Sequence, residues 1–202
     1  MMRYPNFYDR VEPITLHDGL SEFLGTFEEG VITFGYLDVV KLAGHSCPTV
    51  AGAYLMIREG LKALYGEALP QRGEIEVSFQ KPLESETTGV IAAIATQITG
   101  ATDNWGFKGI GGQFNRTHRM HFAQNIEATM RLIRNDTHAF VDISYNPSSI
   151  APDEKIPPLI TKILQGKANH HEKHLFGTLW QTRVEKILCN SKQVIVFSLH
   201  LS

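Results

Sequence analysis

The sequence predicts a fold of the α+β class, a mixed or antiparallel sheet packed with several helices, on three observations. Apolar residues recur at helical spacing over residues 50–64 and again over 90–98. Alternating or β-branched runs occupy residues 74–79, 118–123 and 138–145. The stretches at 128–133 and 138–145 are separated only by the turn at Asn135-Asp136, which suits antiparallel neighbours.

In chain order, Thr15-Leu16-His17-Asp18 resembles a capping box with Asp in place of Glu, so a short helix is expected from here to Gly25, with His17 in its first turn. Residues 31–36, rich in β-branched and aromatic side chains after Gly30, read as a strand leading toward Cys47. Pro48 suits the first position of a helix, which makes Cys47 the capping residue, and Gly66 ends that helix. Val50, Tyr54, Ile57, Leu61 and Leu64 form its core face, with Arg58, Glu59 and Lys62 opposite. A strand at 74–79 stops at Pro82, and a helix over 86–98 ends at Gly100.

Residues 102–113 hold Gly106, Gly109, Gly111 and Gly112 around Trp105 and Phe107 without the G-x-G-x-x-G spacing. A mobile loop over a pocket is expected there, with Asp103 and Asn104 as donors at its root, against the plainer reading of a turn-rich connection. Alternation puts His118 and His121 on opposite faces of their strand. Pro157-Pro158 introduces a helix over 159–165, and a longer one follows Asn169. His170 and His174 share a face of that helix at metal-pair spacing, beside His171, although a solvated first turn is the favoured account of them. Residues 193–201 close the chain as an edge strand.

The 202 residues are read as one domain, 1–202, with 151–202 as an alternative helical extension beyond the Pro147 linker. With 19 basic and 21 acidic residues there is no basic field for nucleic acid, so a small molecule or an ion is the expected partner. No apolar run approaches the ~18 residues of a membrane span. Two distant cysteines and no signal-like start lead to the expectation of a reduced, cytoplasmic chain.

Gly44-His45-Ser46-Cys47-Pro48-Thr49 carries the chemistry. A thiol at a helix N-terminus meets the positive end of the helix dipole, which favours the thiolate that binds metals or attacks electrophiles. His45, two residues earlier, would share a face with Cys47 if the approach is extended. The pair then suits two roles, chelation of a borderline metal or a base beside a nucleophile. The bland reading is a small buried Cys and a loop His. Zinc usually takes four ligands, so a metal site needs further donors, and His17 is the candidate third.

This stretch, with Gly52 four positions beyond Pro48, resembles the G-H-x-C-P-G motif of the FmdE family, which takes its name from a component of formylmethanofuran dehydrogenase. Thr99-Gly100-Ala101-Thr102 is similar to the family's T-G-C-T segment, and residues 166–188 to its G-x-A-T-x-x-E…L helix, so the likeness spans about residues 36–190. The chain departs from the pattern at Ala43, where relatives often carry His, at Thr49 for Gly, and at Ala101 for Cys. It also lacks the Cys-rich zinc module some relatives add. The resemblance implies an FmdE-like α+β core, an intertwined homodimer and a His/Cys site that holds zinc; it does not imply a dehydrogenase.

The functional expectation is therefore a zinc-binding protein with His17, His45 and Cys47 as ligands, Cys47 and His45 also being the candidate catalytic pair, and an open position for water or a small-molecule substrate. Whether it is an enzyme stays open. The alternatives are metal-free Cys/His thiol chemistry and a non-catalytic accessory or metal-delivery subunit.

Overall fold

The computed structural model describes residues 2–201. Its architecture is α+β, with a five-stranded mixed sheet, a separate two-stranded sheet and seven α-helices among the described residues. In chain order these are β1 (Ile14–His17), α1 (Gly19–Phe23), β2 (Val31–Phe34), α2 (Tyr36–Ala43), α3 (Pro48–Tyr65), β3 (Ile75–Phe79) and α4 (Thr88–Thr99). There follow β4 (Met120–His121), β5 (Met130–Arg134), β6 (Phe140–Tyr145), α5 (Ile156–Leu164), α6 (His170–Cys189), α7 (Ser191–Val194) and β7 (Ile195–His200). The large sheet runs β4-β3-β5-β6-β7, antiparallel except between β3 and β4.

Helix α3 is the centre of the molecule. Its N-terminal half, Val50 through Ile57, is buried on every side, as expected of a helix with almost no polar residue in that stretch. Strands β6 and β7 cover one side; α4, α2 and α6 cover the rest. The expected charged face is therefore only partly present: Arg58 is buried and hydrogen-bonds Glu59. Close approach to the sheet explains two glycines within the helix. A Cβ at Gly52 would lie 2.4 Å from the Tyr145 ring, and one at Gly60 would lie 2.4 Å from Ile143 Cδ1.

Two segments differ from expectation around residues 14–43. Residues Ile14–His17 are a strand and not a helix start, so His17 ends β1, paired with Val31. Ile14 and Leu16 are buried while Thr15 and His17 are half-buried, a period of two that wins over the capping-box pattern. The true cap is Asp18, whose carboxylate accepts from the Leu20 and Ser21 amides at 3.0 and 3.2 Å. The strand expected over 31–36 stops at Phe34, because Gly35 opens α2 with its amide donating to the Asp38 carboxylate at 2.9 Å.

The expected strand at 118–123 shrinks to Met120–His121. Backbone at His118 and Ala123 has positive φ, 58° and 54°, which ends extended pairing on both sides. The antiparallel β5–β6 pair and the edge position of β7 agree with expectation. Helix α5 starts at Ile156, ahead of both prolines, and α6 is capped reciprocally by Asn169 and Glu172. No helix is long and apolar enough to cross a membrane among the described residues.

Candidate functional site

Residues 44–48 form a braced turn between α2 and α3. Gly44 takes the left-handed conformation that ends α2, at φ 72°. The His45 Nδ1 lies 2.9 Å from the Ala43 carbonyl. A carbonyl only accepts, so Nδ1 carries a proton, and in the neutral ring the lone pair is then on Nε2. Ser46 is buried and serves as a hub. Its hydroxyl lies 3.0 Å from the Tyr36 hydroxyl, and its carbonyl accepts from Trp180 Nε1 at 3.0 Å and Gln181 Nε2 at 3.2 Å. The Gln181 carbonyl oxygen in turn accepts from the Tyr8 hydroxyl at 3.1 Å.

Cys47 caps α3 as expected, half-buried, in extended backbone (φ −146°, ψ 170°). Its sulfur accepts from the Val50 amide at 3.5 Å, and the Pro48 carbonyl beside it accepts from the Tyr145 hydroxyl at 2.8 Å. Burial pushes the Tyr36 and Tyr145 hydroxyls well above the usual phenol value, against the opposite pull of Ser46 and Arg183 respectively. Both therefore remain protonated near neutral pH and act as neutral hydrogen-bonding groups around the thiol. Trp180, Gln181, Tyr145, Tyr36 and Tyr8 were not foreseen in the sequence. The signals for two of them were Gly52, a gap in α3 shaped for a ring, and an indole whose N–H needs an acceptor when covered.

No hydrogen bond joins His45 to Cys47 among the described residues, so the imidazole is not poised as a base on the thiol. His17 lies elsewhere. Its Nδ1 is 2.8 Å from Gln71 Oε1 and its Nε2 2.9 Å from Glu22 Oε2. Two acceptors around one ring favour the doubly protonated form, and the Gln71 bond first, then Glu22, outweigh burial and raise the pKa of His17 above the ordinary value. A ring in that state has no lone pair to give a metal. Among the described residues no group of three or more His, Cys, Asp and Glu side chains is placed to hold a metal ion, so one chain does not assemble the three expected ligands into a shell.

The glycine-rich segment is anchored away from this turn. The Thr102 hydroxyl donates to the carbonyls of Trp105 and Arg116. Arg116, 5% exposed, reaches the Asp18 carboxylate at 2.7 Å, and Arg72 reaches the other Asp18 oxygen at 2.7 Å. Burial alone would raise the Asp18 carboxyl, but the Arg72 bond and the Arg116 charge together hold it below the usual range. Asp103 and Asn104 make no side-chain hydrogen bond to residues 44–49. What does open beside His45 is a cleft of about 290 Å³ between the end of α2 and α4, walled by Leu42, Val90 and Ala93.

No family model matches the chain. No curated protein matches it either.

Proposed function

We propose that the chain is an FmdE-like metal-binding protein whose own ligands are the Cys47 thiolate and His45 Nε2, with zinc as the metal. The observation that carries this reading is the His45 Nδ1–H bond to the Ala43 carbonyl. Metal-binding histidines characteristically spend one ring nitrogen on such an acceptor, which fixes the tautomer and frees the other nitrogen. The thiol fits the same role, since its hydrogen bond from Val50 N–H persists when the sulfur is ionised and ligated. Bound there, zinc would supply a Lewis acid for water or a carbonyl. The chain's own contribution is a turn locked from α2, α6 and β6, with the cleft beside His45 as the place for a small substrate.

Two ligands leave a zinc shell incomplete, and a homodimer supplies the remaining donors in this reading. The supporting surface is β7, a six-residue edge strand with Val196 71% and Leu201, just past its end, 78% exposed. It carries none of the lysines or prolines that usually protect such an edge. Its first residue, Ile195, pairs with Tyr145, the residue that reaches Pro48 beside Cys47, so a copy paired along β7 comes close to this turn. The base-and-nucleophile reading has no supporting contact.

The experiment is elemental analysis of protein purified without chelator, with Cys47→Ser and His45→Ala alongside. Stoichiometric zinc in the parent, lost in both variants, is the expected result. Its retention in either variant would move the site elsewhere, and its absence from the parent would end the metal reading.

A further inference from the structure

Glycine inside a helix costs about 1 kcal/mol relative to alanine, so its presence there calls for a reason. Gly52 and Gly60 have one within this chain, the approach of the sheet to α3. Gly177, well inside the 20-residue α6, has none: nothing lies within 4 Å of where its Cβ would stand. It opens instead onto a groove of about 640 Å³ between α6 and the turn Asn6–Arg10, a size typical of small-molecule sites.

The groove is chemically uneven. Phe7 and Pro5 give it an apolar wall opposite Gly177. Along α6 the polar groups are already spent. The Thr178 and Thr182 hydroxyls donate to the carbonyls one turn back, and Gln181 is used in both directions by Tyr8 and Ser46. One end is closed by the Arg10–Glu185 pair at 2.6 Å. At the other end stand Lys173 and His174, whose side chains make no ion pair or hydrogen bond among the described residues. Positive charge is thus unanswered at one end only, next to an apolar trough and a helix surface stripped of its side chain.

We propose that this groove binds a small organic anion with an apolar body, the body lying over Gly177 against Phe7 and the negative group meeting Lys173 and His174. The groove shares Gln181 with the brace of the Cys47 turn but is lined by neither His45 nor Cys47, and the proposal does not depend on the metal reading.

The test uses the full chain and two fluorescent probes, 8-anilinonaphthalene-1-sulfonate and N-phenyl-1-naphthylamine, which share the ring system but differ in the anionic group. The sulfonate is expected to bind saturably, one per chain. Gly177→Leu puts a side chain into the trough from a position whose Cβ meets nothing within 4 Å, and is expected to weaken both probes about tenfold or more, with the melting temperature unchanged or higher. Lys173→Gln is expected to weaken the sulfonate about two- to fivefold and leave the neutral probe unchanged. Sulfonate binding untouched by Gly177→Leu would overturn the proposal, as would equal loss of both probes in Lys173→Gln. A halved mass of Gly177→Leu in sedimentation would also overturn it, because the groove's occupant would then be a second copy of the chain.

Discussion

Alanine placed at Gly52 and at Gly177, each in turn, adds the same methyl group to the interior of a long helix and is expected to move stability in opposite directions. Both changes gain about 0.5–1 kcal/mol from helix propensity and reduced freedom of the unfolded chain. At Gly177 that gain stands alone, because the methyl meets nothing within 4 Å. At Gly52 the new carbon would sit 2.4 Å from Tyr145 Cε1 and 2.5 Å from Cδ1, far inside the ~3.5–4.0 Å of ordinary carbon contact. The ring has little room to yield, since its hydroxyl is tied to Pro48 at 2.8 Å and its backbone is paired in the sheet. Overpacking costs about 1–3 kcal/mol, and so close an approach to a tethered ring belongs in the upper part of that range, about 2–3 kcal/mol, so after the gain of about 0.5–1 kcal/mol Gly52→Ala should lose about 1–2.5 kcal/mol net. For a chain of this length each kcal/mol is worth about 2–4 °C, giving a rise of about 1–4 °C for Gly177→Ala and a fall of about 2–10 °C for Gly52→Ala. Urea unfolding and thermal melts of ligand-free protein measure both. A neutral or stabilising Gly52→Ala would mean that Tyr145 is free to move and does not brace the Cys47 turn. A destabilising Gly177→Ala would mean that the chain itself fills the groove on α6.

Three further outcomes follow from the ion pairs and the sheet edge. Asp18→Asn leaves Arg116 buried without its partner and should cost about 3–5 kcal/mol. Because the Asp18 pKa is depressed on folding, its contribution is full above the unfolded value of about 4 and is lost as pH falls through the lower folded one; urea titrations should show a gap from the parent that is flat from about pH 8 to 5 and closes in acid. His17 behaves with the opposite sign: its folded pKa is raised, so its contribution is full below about pH 6.5 and fades as pH rises through the higher value. Histidine NMR should place its titration above the ordinary one, and a midpoint below it would return His17 to the list of metal donors. Phe197→Lys on the exposed β7 edge should abolish self-association in sedimentation and lower the metal content with it; unchanged association would remove β7 as the pairing surface.

The sequence disclosed what is decided within one turn of chain. Pro48 after Cys47 is a local signal, so the start of α3 and its capping thiol were legible, as were Gly66 and Gly100 as helix ends. Where two local patterns compete, the outcome depends on a partner far away. Residues 14–17 satisfy both a cap motif and a strand period, and pairing with β2 decides for the strand. The brace around Ser46 was not legible at all, because Trp180 and Gln181 reach it across 134 and 135 residues, and Arg116 reaches Asp18 across 98. The same limit separates His17 from the site. Chemistry alone made it a candidate ligand, and only the fold brings up Gln71 and Glu22 to occupy both its nitrogens.

The two anchors at the turn discriminate between its chemistries better than the identity of the residues does. A His that activates a thiol must aim a lone pair at the sulfur, and that contact is absent here, with the ring held instead on its own helix end through Nδ1. Ligation asks for less. It needs an accessible lone pair on each donor and a backbone that does not move when the ion arrives. The His45 bond to Ala43 and the Val50 bond to Cys47 would both be compatible with the proposed ligation, since each uses an atom or a lone pair that the metal would not need. The tyrosines and Trp180 restrain the residues between them, so that little further ordering is left to oppose binding. On the proposed reading the turn would supply two of the ligands already organised, and the remaining donors would come from a copy paired along the uncovered edge of the sheet that begins beside Tyr145.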